Sequence, residues 1–208
     1  MTDSPLANDD LRAALEEAWQ SDGEHVERMT LSAAVISAAL ERSAMRATLV
    51  GGGALEFYVP AGYQTSDLDF VVESGTRERI HQVLTSLGLL KNGRHWIRAD
   101  LFVEVPGNSM TEPVSEFSIG DFTLRIIRRE ALLAERIVGY RYWKYWAYGQ
   151  QSIELLQSFR SSMDEELLRG MLRAEGAEDT LSLLLGFLDS GSPLTTEALD
   201  RLWHAHYR

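Results

Sequence analysis

The chain has 208 residues, of which 45% are hydrophobic, a formal net charge of −11 and no cysteine. Its length allows a substantial core, and no apolar stretch approaches the roughly 20 residues that span a bilayer. The acidic charge argues against a broad nonspecific grip on DNA or an anionic membrane. The lack of cysteine excludes disulfides, thiolate catalysis and thiolate zinc sites. The acidic N-terminus is not that of a signal peptide, so we expect a cytoplasmic protein that does not bind membranes.

Hydrophobic periodicity divides the chain into three parts. Helix-period apolar residues in Leu11–Trp19 and Val26–Arg42 predict an N-terminal helical section over residues 1–45. Strand and helix patterns alternate in a core over residues 46–128, and a C-terminal helical section follows over residues 129–208. The predicted fold class is α/β (α+β), with strands and helices in the core.

A glycine turn opens the core. The apolar run from Arg46 to Val50 is too short for a helix and predicts a strand, which ends at Gly51, Gly52 and Gly53. The residues from Ala54 to Tyr58 then fit a short helix. Backbone N–H groups at a glycine-rich helix start can approach phosphate oxygens closely. The turn therefore predicts a phosphate-binding site.

Two aspartates begin the next predicted strand. Asp67 and Asp69 share one face of the run Asp67–Val72, while Leu68 and Phe70 point to the other face. Two carboxylates on one face are costly unless a positive group neutralises them. Mg2+ (or Mn2+) suits this role, because magnesium prefers one or two protein carboxylates together with water and phosphate oxygens.

A third acid lies in the run from Leu101 to Val105. Glu104 is the charged residue inside this apolar strand, so it needs a partner. Asp100 shares its face but stands at the strand start, where an exposed cap is the more common role. We favour Glu104 as the third acid and keep Asp100 as the alternative.

These motifs together carry a family resemblance. The stretches Gly52-Gly53, Asp67-Leu68-Asp69-Phe70 and Val103-Glu104-Val105 resemble the nucleotidyltransferase superfamily of DNA polymerase beta-like fold, over roughly Thr48 to Phe159. The resemblance implies a small mixed sheet flanked by helices. It also implies that Asp67, Asp69 and Glu104 hold two metal ions for nucleotidyl transfer, and that Gly51, Gly52 and Gly53 bind the nucleotide phosphates. Val-Glu-Val-Pro-Gly and the run from Arg125 to Trp143 are similar, more locally, to uncharacterised bacterial nucleotidyltransferase-like proteins related to abortive-infection toxins.

The chain departs from this pattern at two positions. Gly53 stands where the superfamily often has a serine, and Arg136 stands near the place of a lysine in the toxin-related proteins. Arginine can hold a phosphate through its bidentate fork, so Arg136 is our candidate for an additional nucleotide contact. The surrounding region, from Arg125 to Lys144, is basic and unusually aromatic. It predicts either a site for triphosphate or a nucleic-acid end, or a helix that packs in the ordinary way.

Three local expectations complete the prediction. Asn92-Gly93 signals a hairpin turn. The residues from Pro106 to Glu116 have the composition of a loop. An interruption of the C-terminal helices is expected near Gly149.

The functional prediction is a metal-dependent nucleotidyltransferase that moves a nucleoside monophosphate from an NTP to an acceptor hydroxyl. The sequence leaves the acceptor open among an RNA end, a protein and a small molecule. The alternative is a noncatalytic binding protein of the same fold, such as a toxin–antitoxin or regulatory partner, which would bind another protein. A nucleotide sensor without turnover is a third alternative.

Overall fold

The computed structural model describes residues 8–60 and 62–207. The chain separates into two compact units, one ending at Ile127 and one beginning at Arg128. The first unit holds two N-terminal helices, a seven-stranded sheet and two further helices. Its helices are α1 (Asp9–Gln20), α2 (His25–Arg42), α3 (Gly51–Tyr58) and α4 (Arg77–Ser86), and its strands are β1 (Arg46–Val50), β2 (Asp67–Glu73), β3 (Leu90–Asn92), β4 (His95–Arg98), β5 (Leu101–Gly107), β6 (Val114–Ile119) and β7 (Phe122–Ile127).

The strands are ordered β3-β4-β5-β2-β1-β7-β6 across the sheet. β1 is antiparallel to β2 and parallel to β7, and β2 is parallel to β5. The other neighbouring pairs are antiparallel. This mixed sheet flanked by helices confirms the predicted fold class. The hairpin predicted at Asn92-Gly93 is also present, and it joins β3 to β4 with Asn92 opposite His95.

The core lies where the helices cover the sheet. The middle of α2 is buried through small and branched side chains such as Ala34 and Ile36, and the central strands contribute Leu49, Leu68 and Phe70. α2 contacts β1 and β7, and α3 contacts β1 and β2. The central strands are therefore fixed by packing as well as by their hydrogen bonds.

One predicted loop was partly wrong. The structure extends β5 to Gly107 and begins β6 at Val114, so the loop is shorter than residues 106–116. β6 lies at the sheet edge, and its side chains are half-buried or exposed. Residues 114–116, which the prediction placed in the loop, read Val-Ser-Glu, too short a run to show the alternation that identifies a strand. The pairing with β7 and the packing of Phe117 on Phe57, at 4.9 Å between ring centres, hold β6 in place.

The second unit is helical. It consists of α5 (Arg129–Trp143), α6 (Trp146–Phe159), a short 3₁₀ turn (Arg160–Ser162), α7 (Glu165–Ala174), α8 (Glu178–Asp189) and α9 (Thr196–His206). α5 ends at Trp143, and its C-cap residue, Lys144, has a left-handed backbone conformation. The helices are interrupted near Gly149, as predicted, between Trp143 and Trp146, but Gly149 itself lies inside α6. A Cβ on Gly149 would lie 2.8 Å from the ring of Tyr140, which shows that this glycine permits close helix packing. Among the described residues, no helix is long and apolar enough to cross a membrane.

Candidate active site

The glycine turn and the aspartate pair meet where the central strands β1 and β2 end and begin, respectively. β1 runs antiparallel to β2, and Val50, the last residue of β1, is opposite Asp69. The carboxyl end of β1 therefore adjoins the amino end of β2, which is where Asp67 and Asp69 lie. The chain enters α3 directly after Val50, so the first turn of this helix stands beside the two aspartates.

Gly51 makes the closest approach between these two features. Its φ of +63° is in the left-handed region that favours glycine. A Cβ at this position would lie 3.2 Å from Cγ of Asp69 and closer still to one carboxylate oxygen. The Asp69 carboxylate thus packs against the backbone at the start of α3, in space that a side chain would fill.

The next two glycines face different surroundings. A Cβ on Gly52 would lie 3.2 Å from the Tyr63 hydroxyl and 3.5 Å from Oγ1 of Thr65, both in the segment that leads into β2. A Cβ on Gly53 would instead meet the core side chains of Leu49 and Leu68, at 3.2 and 3.0 Å. The missing side chain of Gly53 therefore allows α3 to pack on the sheet. The first-turn amides of α3 have no acceptor within their own helix, which is the arrangement that suits an anion.

Asp67 and Asp69 project from the less buried face of β2. Leu68, Phe70 and Val72 alternate with them and are buried. Asp67 is exposed and Asp69 is half-buried. The two carboxylates share the face that sequence alternation assigned to them.

Glu104 lies next to the pair and is already engaged by basic residues. β5 is parallel to β2, and Glu104 is opposite Asp69. One oxygen of Glu104, Oε2, is 3.2 Å from Nε of Arg94 and 3.4 Å from Nε2 of His95. The partner that the sequence demanded for this acid is thus supplied by the β3–β4 hairpin. Asp100, the alternative third acid, is exposed in the turn before β5.

The donor set fits a hard divalent ion at the aspartates. Asp67 and Asp69 offer carboxylate oxygens, which magnesium takes in ones or twos while water and phosphate fill its other positions. Glu104 is held in an ion pair, but Arg94 is 74% exposed, and exposed ion pairs contribute little to stability. Within residues 8–60 and 62–207, no three or more His, Asp or Glu side chains are gathered as a set that could hold a metal ion.

Arg136 lies in the second unit. Its side chain is buried and pairs with Glu135 at 2.6 Å. Its guanidinium carbon also lies 4.3 Å from the centre of the Tyr148 ring. The contacts described for Arg136 are thus within its own helical unit, and a phosphate contact by this residue stays a prediction.

Sequence reasoning missed a polar cluster behind the glycine turn. Glu56 in α3 is 1% exposed, and it contacts Thr65 and His25. Its signal was available, because Glu56 is the single charged residue of an otherwise apolar helix. Arg94 and His95 were missed as well, since their relation to Glu104 depends on strand pairing between β4 and β5.

A mixed sheet with a glycine turn between a strand and a short helix, and with paired aspartates on the neighbouring strand, has the features of a nucleotidyltransferase fold. The chain is similar to the solution structure of the antibiotic-resistance factor ANT(2'')-Ia, with a TM-score of 0.51, 14% sequence identity, and coverage of 81% of this chain and 100% of that one. It is also similar to the crystal structure of an antigenic nucleotidyltransferase-like protein from Paracoccidioides brasiliensis, with a TM-score of 0.49, 16% identity, and coverage of 87% and 94%. At these low identities, the similarity to ANT(2'')-Ia supports the nucleotidyltransferase fold and nothing finer. No protein-family model and no curated protein sequence matches the chain.

Proposed function

We propose that this protein is a metal-dependent nucleotidyltransferase that transfers a nucleoside monophosphate from an NTP to an acceptor hydroxyl. The observation that carries the proposal is the close approach of Gly51, directly after β1, to the Asp69 carboxylate on the neighbouring strand β2. It puts a helix start suited to phosphate beside carboxylates suited to Mg2+ or Mn2+. The nucleotidyltransferase fold supports the same conclusion.

In this proposal the acidic residues bind the metal ion and the glycine turn binds the phosphates. Asp67 and Asp69 would hold the divalent ion, and Glu104 would complete the set after its exposed pair with Arg94 opens. The bound ion would neutralise charge on the phosphates and acidify the acceptor hydroxyl. The amides of Gly51, Gly52 and Gly53 would bind the triphosphate. In the transfer, a bond from the acceptor oxygen to the α-phosphorus replaces the bond to pyrophosphate, which leaves, and the hydroxyl proton passes to solvent.

One observation favours the noncatalytic alternative. Glu104 is paired with Arg94 and His95, so the third acid is not free in the described structure. A binding protein of this fold, including a toxin–antitoxin or regulatory partner, would tolerate that pairing. The likeness to toxin-related proteins is a prediction from the sequence. The acceptor is proposed only as a hydroxyl group, on an RNA end, a protein or a small molecule.

The test is a thermal-shift screen of the four NTPs with and without Mg2+ or Mn2+, on the wild type and on Asp67→Asn and Asp69→Asn. We expect stabilisation by one or more NTPs that requires the metal and is lost in both variants. Asp69→Asn alone should melt at the same temperature or higher, because Asp69 is opposite Glu104 and like charges on neighbouring strands repel.

Glu73→Gln is the matched control, because Glu73 is a carboxylate on the same face of β2 at the other end of the strand. It should leave the nucleotide shift unchanged. Stabilisation that survives in Asp69→Asn would contradict the assigned role. No shift with any NTP in the wild type would favour the noncatalytic protein.

A further inference from the structure

Thr65 is tied to three parts of the first unit by its three polar groups. Its backbone N–H donates to Oε2 of Glu56 at 2.9 Å. Its carbonyl oxygen lies 2.8 Å from Nε2 of His25, and because a carbonyl can only accept, this nitrogen carries the proton. Its hydroxyl oxygen accepts from the backbone N–H of Asp67 at 3.0 Å. One residue thus links α2, α3 and the start of β2.

The burial of the Glu56 carboxylate is energetically unfavourable. Its side chain is 2% exposed, and Oε1 has no hydrogen-bond partner among the described residues, although His25 Nε2 lies 3.5 Å away. A buried carboxylate with incomplete hydrogen bonding is destabilising, and an apolar residue of similar volume commonly serves packing as well or better. Packing therefore does not account for Glu56, whereas its bond to Thr65 does.

The segment that Glu56 holds borders both halves of the candidate site. Tyr63 and Thr65 face Gly52 of the glycine turn, and Thr65 bonds to the amide of Asp67. A movement of Thr65 would shift the first aspartate and change the surroundings of the turn together. Residues that orient metal ligands from behind commonly affect metal binding strongly.

We propose that Glu56 and His25 are positioning residues, which fix Thr65 and through it hold the Asp67 carboxylate in register with the glycine turn. The effect on nucleotide binding rests on the proposed function. The effect on the backbone at Asp67 does not, so the two can be tested separately.

The experiment uses two pairs of variants in the full chain. Thr65→Val removes the acceptor for the Asp67 amide and keeps the shape, while Thr65→Ser keeps the hydroxyl. Glu56→Met removes the acceptor for the Thr65 amide at similar volume, while Glu56→Gln retains an oxygen that can accept. Each variant is compared with the wild type in amide hydrogen exchange without ligand, and in calorimetric titration with each NTP and Mg2+.

We expect Thr65→Val to speed exchange at the Asp67 amide, and Glu56→Met to speed exchange at the Thr65 amide. Both should weaken Mg2+–NTP binding by about 10- to 100-fold, as for other groups that orient metal ligands. Thr65→Ser and Glu56→Gln should stay close to the wild type. This difference between the two members of each pair would support positioning.

Two results would overturn the proposal. The first is an unchanged exchange rate at Asp67 in Thr65→Val. The second is a lower melting temperature for Thr65→Val and Glu56→Met with unchanged nucleotide affinity, since that describes a cluster that only stabilises the fold. If no NTP binds the wild type, the proposed function fails, and hydrogen exchange still decides whether Glu56 and Thr65 hold the start of β2.

Discussion

Two features of the structure require glycine at position 51. Its backbone is left-handed, and its Cα leaves room for the Asp69 carboxylate. The sequence indicated the turn from three consecutive glycines, but each glycine has a separate reason. Gly51 faces Asp69, Gly52 faces the segment before β2, and Gly53 faces the core. These assignments depend on which side chains β2 brings opposite the turn.

We predict that Gly51→Ala destabilises the protein and abolishes Mg2+–NTP binding. A non-glycine residue at positive φ costs about 1–3 kcal/mol, and the added methyl would also displace the Asp69 carboxylate. The free energy of unfolding can be measured with urea, and binding by calorimetric titration. The control is Gly93→Ala, because Gly93 has a φ of +60° and its Cβ would meet no described atom within 4 Å. Gly93→Ala should lower the free energy of unfolding through its backbone conformation and should still bind Mg2+–NTP. Equal loss of binding in both variants would contradict a specific contact with Asp69.

At the scale of elements, a buried acid connects two helices of the second unit. Glu130, in the first turn of α5, accepts from the backbone N–H of Asp164 at 2.9 Å and pairs with Arg128 and Arg129. Burial raises the pKa of Glu130, but the hydrogen bond from Asp164 and the two arginines outweigh it and hold this pKa below its ordinary value. Asp164 is the N-cap of α7, so Glu130 fixes where α7 starts.

We predict that Glu130→Gln lowers stability near neutral pH by about 1.5–3 kcal/mol, the range for hydrogen bonds to charged groups. Because the folded-state pKa is depressed, the contribution of Glu130 is present above its ordinary pKa of 4.5 and is lost as pH falls through the folded-state value. Urea unfolding at several pH values should therefore show the variant and the wild type converging below pH 4.5. Glu166→Gln, an exposed first-turn glutamate of α7, should have little effect at any pH. A gap that widens in acid would refute the assignment.

The elements also show where sequence patterns lose information. β2 was predictable because one of its faces is buried and the other carries the aspartates. The start of β6 was not, because residues 114–116 read Val-Ser-Glu, which is too short a run to show the strand period. Gly149 looked like a helix stop, since the sequence alone does not reveal that the Tyr140 ring packs against it.

The net charge of −11 acts on the molecule as a whole. Excess charge of one sign repels itself in the folded state, whereas exposed ion pairs such as Arg42–Asp10 add little. Salt screens both effects. We predict that the melting temperature rises by a few degrees between low and moderate concentrations of sodium chloride, because relief of repulsion exceeds the loss of surface pairs. Potassium chloride should act equally if screening is the cause. A fall in melting temperature would mean that the ion pairs dominate.

Sequence patterns were sufficient to predict an α/β fold, the glycine turn and the common face of Asp67 and Asp69. These features follow from local periodicity and from the backbone freedom of glycine, which are properties of neighbouring residues. Only the folded structure shows that Arg94 and His95 contact Glu104, that Glu56 and His25 contact Thr65, and that Arg136 contacts Glu135 and Tyr148. Apart from the contact between Arg136 and Glu135, these contacts join residues that are 9 to 40 positions apart, and strand pairing and helix packing bring them together. A polar side chain shows its need for a partner in the sequence, but the identity of that partner depends on the fold.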